Sequence, residues 1–297
     1  MDPENINDDL KEKWELEQKE LKTKLVCEDV EPWQQKSDFS GLTYVGGVDL
    51  SFVKGDDINA CACLVVCSYP DLKVVYSRCR HIQLTAPYIS GFLAFREVSF
   101  HIESIEKLKK DNPELLPQVI FVDGNGMLHP REFGIACHLG VITGMTTVGV
   151  AKKLHHVDGI EKDAAHGEKI KQLMKGGESF PLIGTSGKTH GMVLRVCNEA
   201  PNPVYVSVGH RISLKTAVQL VHRCSKHRIP EPIRQADMQS RKFIREKFGP
   251  KQEQPQRPPK KRSPTNIKMD KVASHDNVDG DYEPHLDAMA SLFEGGY

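Results

Sequence analysis

Leu84-Thr-Ala-Pro-Tyr-Ile-Ser-Gly-Phe-Leu-Ala-Phe-Arg-Glu97 decides how the chain is laid out. A Pro-bearing loop with Pro87 and Tyr88 runs into Ser90, a favourable N-cap, and then into a helix. Within it Phe95, Val98, Ile102 and Ile105 recur at helical spacing, so one stripe faces a core. Glu97 lies on the flank of that stripe. A carboxylate there, close behind a loop tipped with an aromatic, is costly to bury without a partner. Taken alone, the segment is better read as a surface Glu after a satisfied Tyr. Two more carboxylates elsewhere in the chain count against that.

Upstream, residues 3–26 are rich in Glu and Lys and predict a surface helix, with Leu10, Trp14, Leu21 and Leu25 on one face interrupted by Gln18. Three strand-like runs follow, Thr43–Phe52, Ile58–Ser68 and Lys73–Ile82, and the short turns between them predict an antiparallel meander. Downstream, Gln118–Val122 is a short apolar strand closed by Asp123-Gly-Asn-Gly126. A strand reached through a helix is most easily parallel to its predecessor. Next come a helix over 132–142, a strand over Thr147–Ala151, and a loop-rich stretch to Phe180. Strands near Met192–Cys197 and Val204–Val208 and helices near Leu214–Lys226 and Ile233–Lys247 complete the body. The expectation is an α/β domain over residues 1–250: a mixed sheet, antiparallel in its first three strands and then parallel, flanked by helices. Past Phe248-Gly-Pro250 a Pro/Lys-rich and then acidic composition predicts a disordered tail over 251–297. Its Pro258-Pro-Lys-Lys-Arg262 cluster reads equally as a nuclear localisation signal or as a solubilising run.

Lys+Arg and Asp+Glu balance at 40 each over 297 residues, so net charge names no partner. Its distribution says more. Residues 1–40 hold twelve acids against six bases, and 209–250 hold ten bases against three acids. That separation suits either a basic face for a polyanion or an ordinary solvated helix face. The eight cysteines show no CxxC pair or zinc spacing, and no signal peptide precedes them, so they read as reduced thiols of an intracellular protein. No apolar run approaches a membrane span.

Asp49 interrupts the apolar strand Tyr44-Val-Gly-Gly-Val-Asp-Leu-Ser-Phe52, and Asp123 ends the next buried strand. If those strands are neighbours, the two acids are too, and a helix packed across them brings Glu97 to the same point. Singly, each has a plain reading as a turn former or a solvated helix residue. Together they repel one another unless a hard cation neutralises them, and Mg²⁺ takes carboxylate oxygens alongside substrate phosphate. Lys152, in Gly149-Val-Ala-Lys-Lys153, is by spacing alone a strand-end surface lysine, though within reach of a scissile phosphate. His129 is weak evidence as a lone imidazole. Gly184-Thr-Ser-Gly-Lys-Thr189 looks like a phosphate loop, but Leu182 stands where Walker spacing needs Gly.

Pro87–Glu97, Val122-Asp-Gly-Asn-Gly126, Val48-Asp49 and Gly149-Val-Ala-Lys152 together resemble the endonuclease V family, of the animal type, over roughly residues 10–250. The resemblance implies a ribonuclease H-like fold and Mg²⁺-dependent hydrolysis, with Mn²⁺ as a substitute, of the second phosphodiester 3′ to a deaminated purine. Bacterial members act on deaminated DNA. The animal members are similar to ribonucleases for inosine in single-stranded RNA, with deoxyinosine DNA a weaker substrate. A monomer in the cytoplasm, with the nucleus or nucleolus as a second location, is the accompanying expectation.

By position, Asp49 and Asp123 match the family's metal-binding aspartates, Glu97 its catalytic glutamate, Lys152 its lysine near the scissile phosphate, and Asp237 a further acid of the last helix. Pro87, Tyr88, Ile89 and Ser90, followed by Gly91, match the wedge that fills the space of an extruded base. Bacterial wedges read Pro-Tyr-Ile-Pro, so Ser90 makes this one less rigid and less suited to opening a duplex. The base pocket is expected from backbone around Gly124 and Gly126, with Leu93 and Ile135 as walls and His129 nearby. Rival readings are a DNA repair endonuclease, a non-catalytic inosine-RNA binding module and a small-molecule metallophosphoesterase.

Overall fold

The first three strands form the expected meander. β1 (Tyr44–Phe52), β2 (Asn59–Ser68) and β3 (Val74–Gln83) pair in antiparallel order. The structure is a computed structural model and describes residues 3–249; the tail over 251–297 and its basic cluster lie outside the described residues. Helix α2 (Leu93–Asp111) leads to β4 (Val119–Asp123), which lies parallel to β1 as a helical crossover favours. Helix α3 (Ile135–Thr143) leads in the same way to β5 (Thr146–Ala151), parallel to β4.

Beyond β5 the chain adds α4 (Ala164–Lys171), β6 (Ser179–Ile183), β7 (Thr189–Leu194) and β8 (Val204–His210). The sheet order is β3-β2-β1-β4-β5-β8-β7-β6, with β8, β7 and β6 antiparallel. The parallel part is thus a central trio between two antiparallel wings. One of these elements falls in the stretch read as loop, and another begins in it. Helix α4 is a short helix started by Asp163, whose Oδ1 accepts the His166 N–H at 2.7 Å. Strand β6 carries Pro181, which suits only a sheet edge.

Helices cover both faces, which is why β2 is buried almost throughout instead of alternating. On one face α5 (Leu214–Arg223) and α6 (Glu231–Phe248) pack Leu220, Ile233 and Ala236 against Val45, Phe121 and Val206. On the other, α2 and α3 pack Val98, Ile105 and Leu139 against Val48, Ile120 and Val122. Gly47 lets α6 approach closely: a Cβ there would stand 2.2 Å from the Pro232 carbonyl carbon. Helix α1 (Pro3–Lys22) buries Trp14, and Gln18 is buried beside it because its Nε2 donates to the Phe133 carbonyl at 2.8 Å. The polar interruption in that stripe is a tether. Among the described residues no helix is long and apolar enough to cross a membrane.

Two expectations are corrected. Ser90 does not cap α2. The Ile89–Phe92 turn intervenes, Gly91 takes φ +80°, and the helix starts at Leu93 with no side-chain cap on its first amides. The cysteines are not all thiols: Cys63 and Cys79 stand opposite each other on β2 and β3 and form a disulfide, with the other six free. Sequence spacing did not reveal that pairing; strand register creates it.

Candidate active site

The register of β1 against β4 pairs Val48 with Val122, so Asp49 and Asp123 follow one step on, side by side. Alternation along each strand points both towards α6, the side on which Gly47 meets Pro232. Asp49 is only 6% exposed. Its Oδ2 accepts hydrogen bonds from Ser240 Oγ of α6 at 3.0 Å and from Ser51 Oγ at 3.3 Å. Asp237 lies one turn before Ser240 on α6 and pairs with Arg241 Nε at 2.8 Å. Lys152, just past β5, reaches back so that Nζ donates to Asp123 Oδ2 at 2.7 Å. Glu97 arrives from the opposite layer, on α2, and is buried rather than on a flank, because the buried stripe runs through Ala94, Glu97, Val98, His101 and Ser104.

Electrostatics tie these groups together. Burial, followed by the charges of Asp123 and Asp237, pushes the Asp49 carboxyl up to about 7, against the pull of Lys152 and Ser240. Burial also pushes Glu97 up to about 8, with Asp49 adding to the effect, Arg96 opposing it and Asp123 reinforcing it. For Lys152 burial acts to lower the value, but Asp123, Asp49 and Asp237 outweigh it and raise the ammonium above its ordinary range. Four acids therefore share one field with a single lysine among them. Among the described residues no three Asp, Glu, His or Cys side chains close to ligand spacing around a point. The donors nevertheless suit a hard divalent cation: all are carboxylates, and their mutual repulsion is what such an ion relieves.

Around this centre the structure separates the expected substrate residues. Pro87, Tyr88 and Ser90 are exposed, Tyr88 at 65%, whereas Ile89 and Gly91 are half-buried. Leu93 is exposed, and Ile135 is buried with its Cγ2 2.7 Å from where a Cβ on Gly124 would lie. Gly124 remains partly open. Gly126 does not: its N–H donates to Ser207 Oγ at 2.8 Å and its carbonyl accepts from Gly134 at 2.9 Å. His129 is buried with Nδ1 accepting the Arg131 N–H at 3.2 Å, and its ring stacks on His155. Burial above all, then His155 and Arg131, brings His129 down to about 4, so it is neutral at pH 7.

Sequence reasoning missed Ser51, Ser240 and Asn125. Ser51 shared a strand face with Asp49 and Ser240 stood one helical turn from Asp237, so period alone pointed to both. Asn125 Oδ1 is an acceptor shielded from solvent with no partner among the described residues, which motif reading of the glycines around it passed over.

The endonuclease V family model matches residues 19–238. Mouse endonuclease V is 58% identical over 236 residues, covering 80% of this chain and 70% of the mouse protein. The crystal structure of human endonuclease V superposes with a TM-score of 0.77 at 56% identity, covering 78% of this chain and 97% of that one. Endonuclease V from Ciona intestinalis, solved with a 23mer DNA containing an inosine followed by a ribo-adenosine, superposes at 0.74 with 37% identity, covering 83% and 99%.

Proposed function

The chain belongs to the endonuclease V family, and on that premise we infer an endonuclease that cuts single-stranded RNA at the second phosphodiester 3′ to inosine. The observation that carries the reading is the convergence of Asp49, Asp123, Glu97 and Asp237 with Lys152 where β1, β4 and β5 meet α2 and α6. The Ciona relative's ligand is a DNA whose inosine is followed by a ribo-adenosine, which supports a ribonucleotide on the 3′ side of the inosine.

Asp49, Asp123, Glu97 and Asp237 would hold Mg²⁺, or Mn²⁺ in its place, which when bound polarises the scissile phosphate and makes water a better nucleophile at neutral pH. Lys152 Nζ, 2.7 Å from Asp123 Oδ2, is positioned to shift its ammonium onto the charge that develops on phosphate oxygens. Ser240 and Ser51 orient the Asp49 carboxylate through its Oδ2. Water adds to phosphorus as the bond to the 3′ oxygen breaks, leaving a 5′-phosphate and a 3′-hydroxyl. The base leaves its stack to be read, at less cost in a single strand than in a duplex. Gly124 and Asn125, with Ile135 packed against Gly124 and Leu93 as a further wall, would read it; hypoxanthine offers O6 and N1–H where adenine does not. Tyr88 is free to stack in the vacated space.

The test is cleavage of matched oligonucleotides: inosine RNA, adenosine RNA and deoxyinosine duplex DNA, each with and without Mg²⁺. Faster cutting of inosine RNA supports the reading. Preference for the duplex would make this a DNA repair enzyme, and binding without cutting would make it a binding module.

A further inference from the structure

The loop Thr85–Phe92 contains one backbone hydrogen bond of its own, Phe92 N–H to the Ile89 carbonyl at 3.0 Å, and the helix after it has no side-chain cap. Such a segment does not hold a fixed position by itself. Its base is held from outside by Arg131. The Arg131 guanidinium lies 4.1 Å above the Phe92 ring, Nη1 faces the Gly91 carbonyl at 3.5 Å, and Nε pairs with Glu15 of α1 at 3.2 Å. Phe92 in turn packs on Trp14 of α1 and Phe95 of α2. Arg131 belongs to the loop that follows Asp123, so one side chain joins that segment, the N-terminal helix and the turn from the Tyr88 loop into α2. The fit is close: a Cβ on Gly91 would stand 2.6 Å from Arg131 Nη1.

Resting on the reading of Pro87–Ser90 as a wedge, we propose that Arg131 is a positioning residue that fixes the wedge relative to the Asp123 segment through Gly91 and Phe92. It touches neither base nor phosphate. A planar guanidinium reaches all three groups at once, by stacking on Phe92, hydrogen bonding towards Gly91 and pairing with Glu15; an ammonium cannot do so with one geometry. Chemistry and base recognition then share one frame, and the loop that inserts is registered to the strand end that carries an acid of the cutting site. A displacement of the order of 1 Å suffices to cost about a hundredfold in rate at such a site.

The experiment uses the full chain carrying Arg131→Lys or Arg131→Met, with amide hydrogen exchange, melting temperature and single-turnover cleavage of inosine and adenosine RNA. Exchange over 85–92 should rise in both while 119–123 stays as in the parent. The inosine-to-adenosine ratio should fall about tenfold or more, with melting within a few degrees. Should Arg131→Met not fold, Arg131→Lys carries the test. Unchanged exchange over 85–92 overturns the proposal, and so does faster exchange throughout with a matching loss of melting temperature. A parent protein with no inosine preference overturns the function read above instead, and exchange still decides whether Arg131 holds the loop.

Discussion

Two groups of carboxylates on this sheet have opposite electrostatics. At the Asp49 end, acids crowd together and two are pushed up towards neutral pH or past it, Asp49 to about 7 and Glu97 to about 8. In the second group, Asp158 accepts hydrogen bonds from Ser186, Thr185 and His190, which hold its carboxyl far below the usual range. Glu132 accepts Lys22 Nζ at 2.7 Å and pairs with Lys188 at 2.6 Å, and those lysines lower it as well. The satisfied cluster joins the β6–β7 turn to α1 and the loop before α3. The Asp49 group has fewer bonds for its crowded charge: Ser240 and Ser51 reach Asp49, and one lysine reaches Asp123. On the function proposed above, the opposite shifts of Asp49 and Glu97 against Asp158 and Glu132 separate acids suited to a cation from acids that hold loops together.

The sharpest way to break that contrast is to neutralise one acid of each group. Asp49→Asn should reduce cleavage by about a thousandfold or more, while melting temperature stays level or rises, because a buried repulsive charge is gone. Asp158→Asn should do the reverse, lowering the melting temperature by several degrees with little change in rate, read by calorimetry and cleavage on one preparation. If Asp49→Asn destabilised the protein and Asp158→Asn silenced it, the assignment of roles would be inverted.

Tyr88 tests the contrast away from any charge. Tyr88→Ala should leave melting unmoved, as expected of a side chain 65% exposed, and weaken inosine RNA by roughly 1–3 kcal/mol, the worth of one stacked base. Non-specific RNA affinity, set by phosphate contacts, should hold. A large drop in melting with unchanged inosine preference would make it a structural aromatic.

A pH series sharpens the comparison further. The raised Asp49 carboxyl contributes stability that is complete below its unfolded value near 3.8 and is lost as pH climbs through about 7. The lowered Asp158 carboxyl contributes stability present above its unfolded value near 3.8 and lost as pH falls through its folded one. The melting advantage of Asp49→Asn over the parent should therefore widen between pH 5 and pH 8, whereas the deficit of Asp158→Asn should shrink only in acid. Melting curves in metal-free buffer decide it. The smallest effect belongs to Ser240→Ala: without that donor Asp49 rises further, so cleavage should fall severalfold at pH 7 and recover at higher pH.

Much of this was legible because acids inside apolar strands are conspicuous. Asp49 and Asp123 stood out as polar breaks in buried runs, and the crossover through α2 made their strands neighbours. Glu97 was legible in kind but not in place, since reading the stripe from Phe95 and Ile102 put the acid outside it. The Asp158 cluster was not legible. His190 is far along the chain from Asp158, which sits at φ +51° in a left-handed conformation that no local residue pattern announces. Ser240 carries no charge to advertise it, and β6 begins inside the stretch read as loop up to Phe180.

Pro181 has a consequence for how the protein behaves in a crowded solution. An eight-stranded sheet with open ends presents backbone groups that another chain can extend, and β6 is one such end. The proline ring places no amide donor at the middle of that short border, so a second molecule attempting to continue the ladder meets a gap in the hydrogen-bond series. Pro181 therefore discourages fibrous self-association, and replacing it with valine should raise turbidity on prolonged incubation at high concentration.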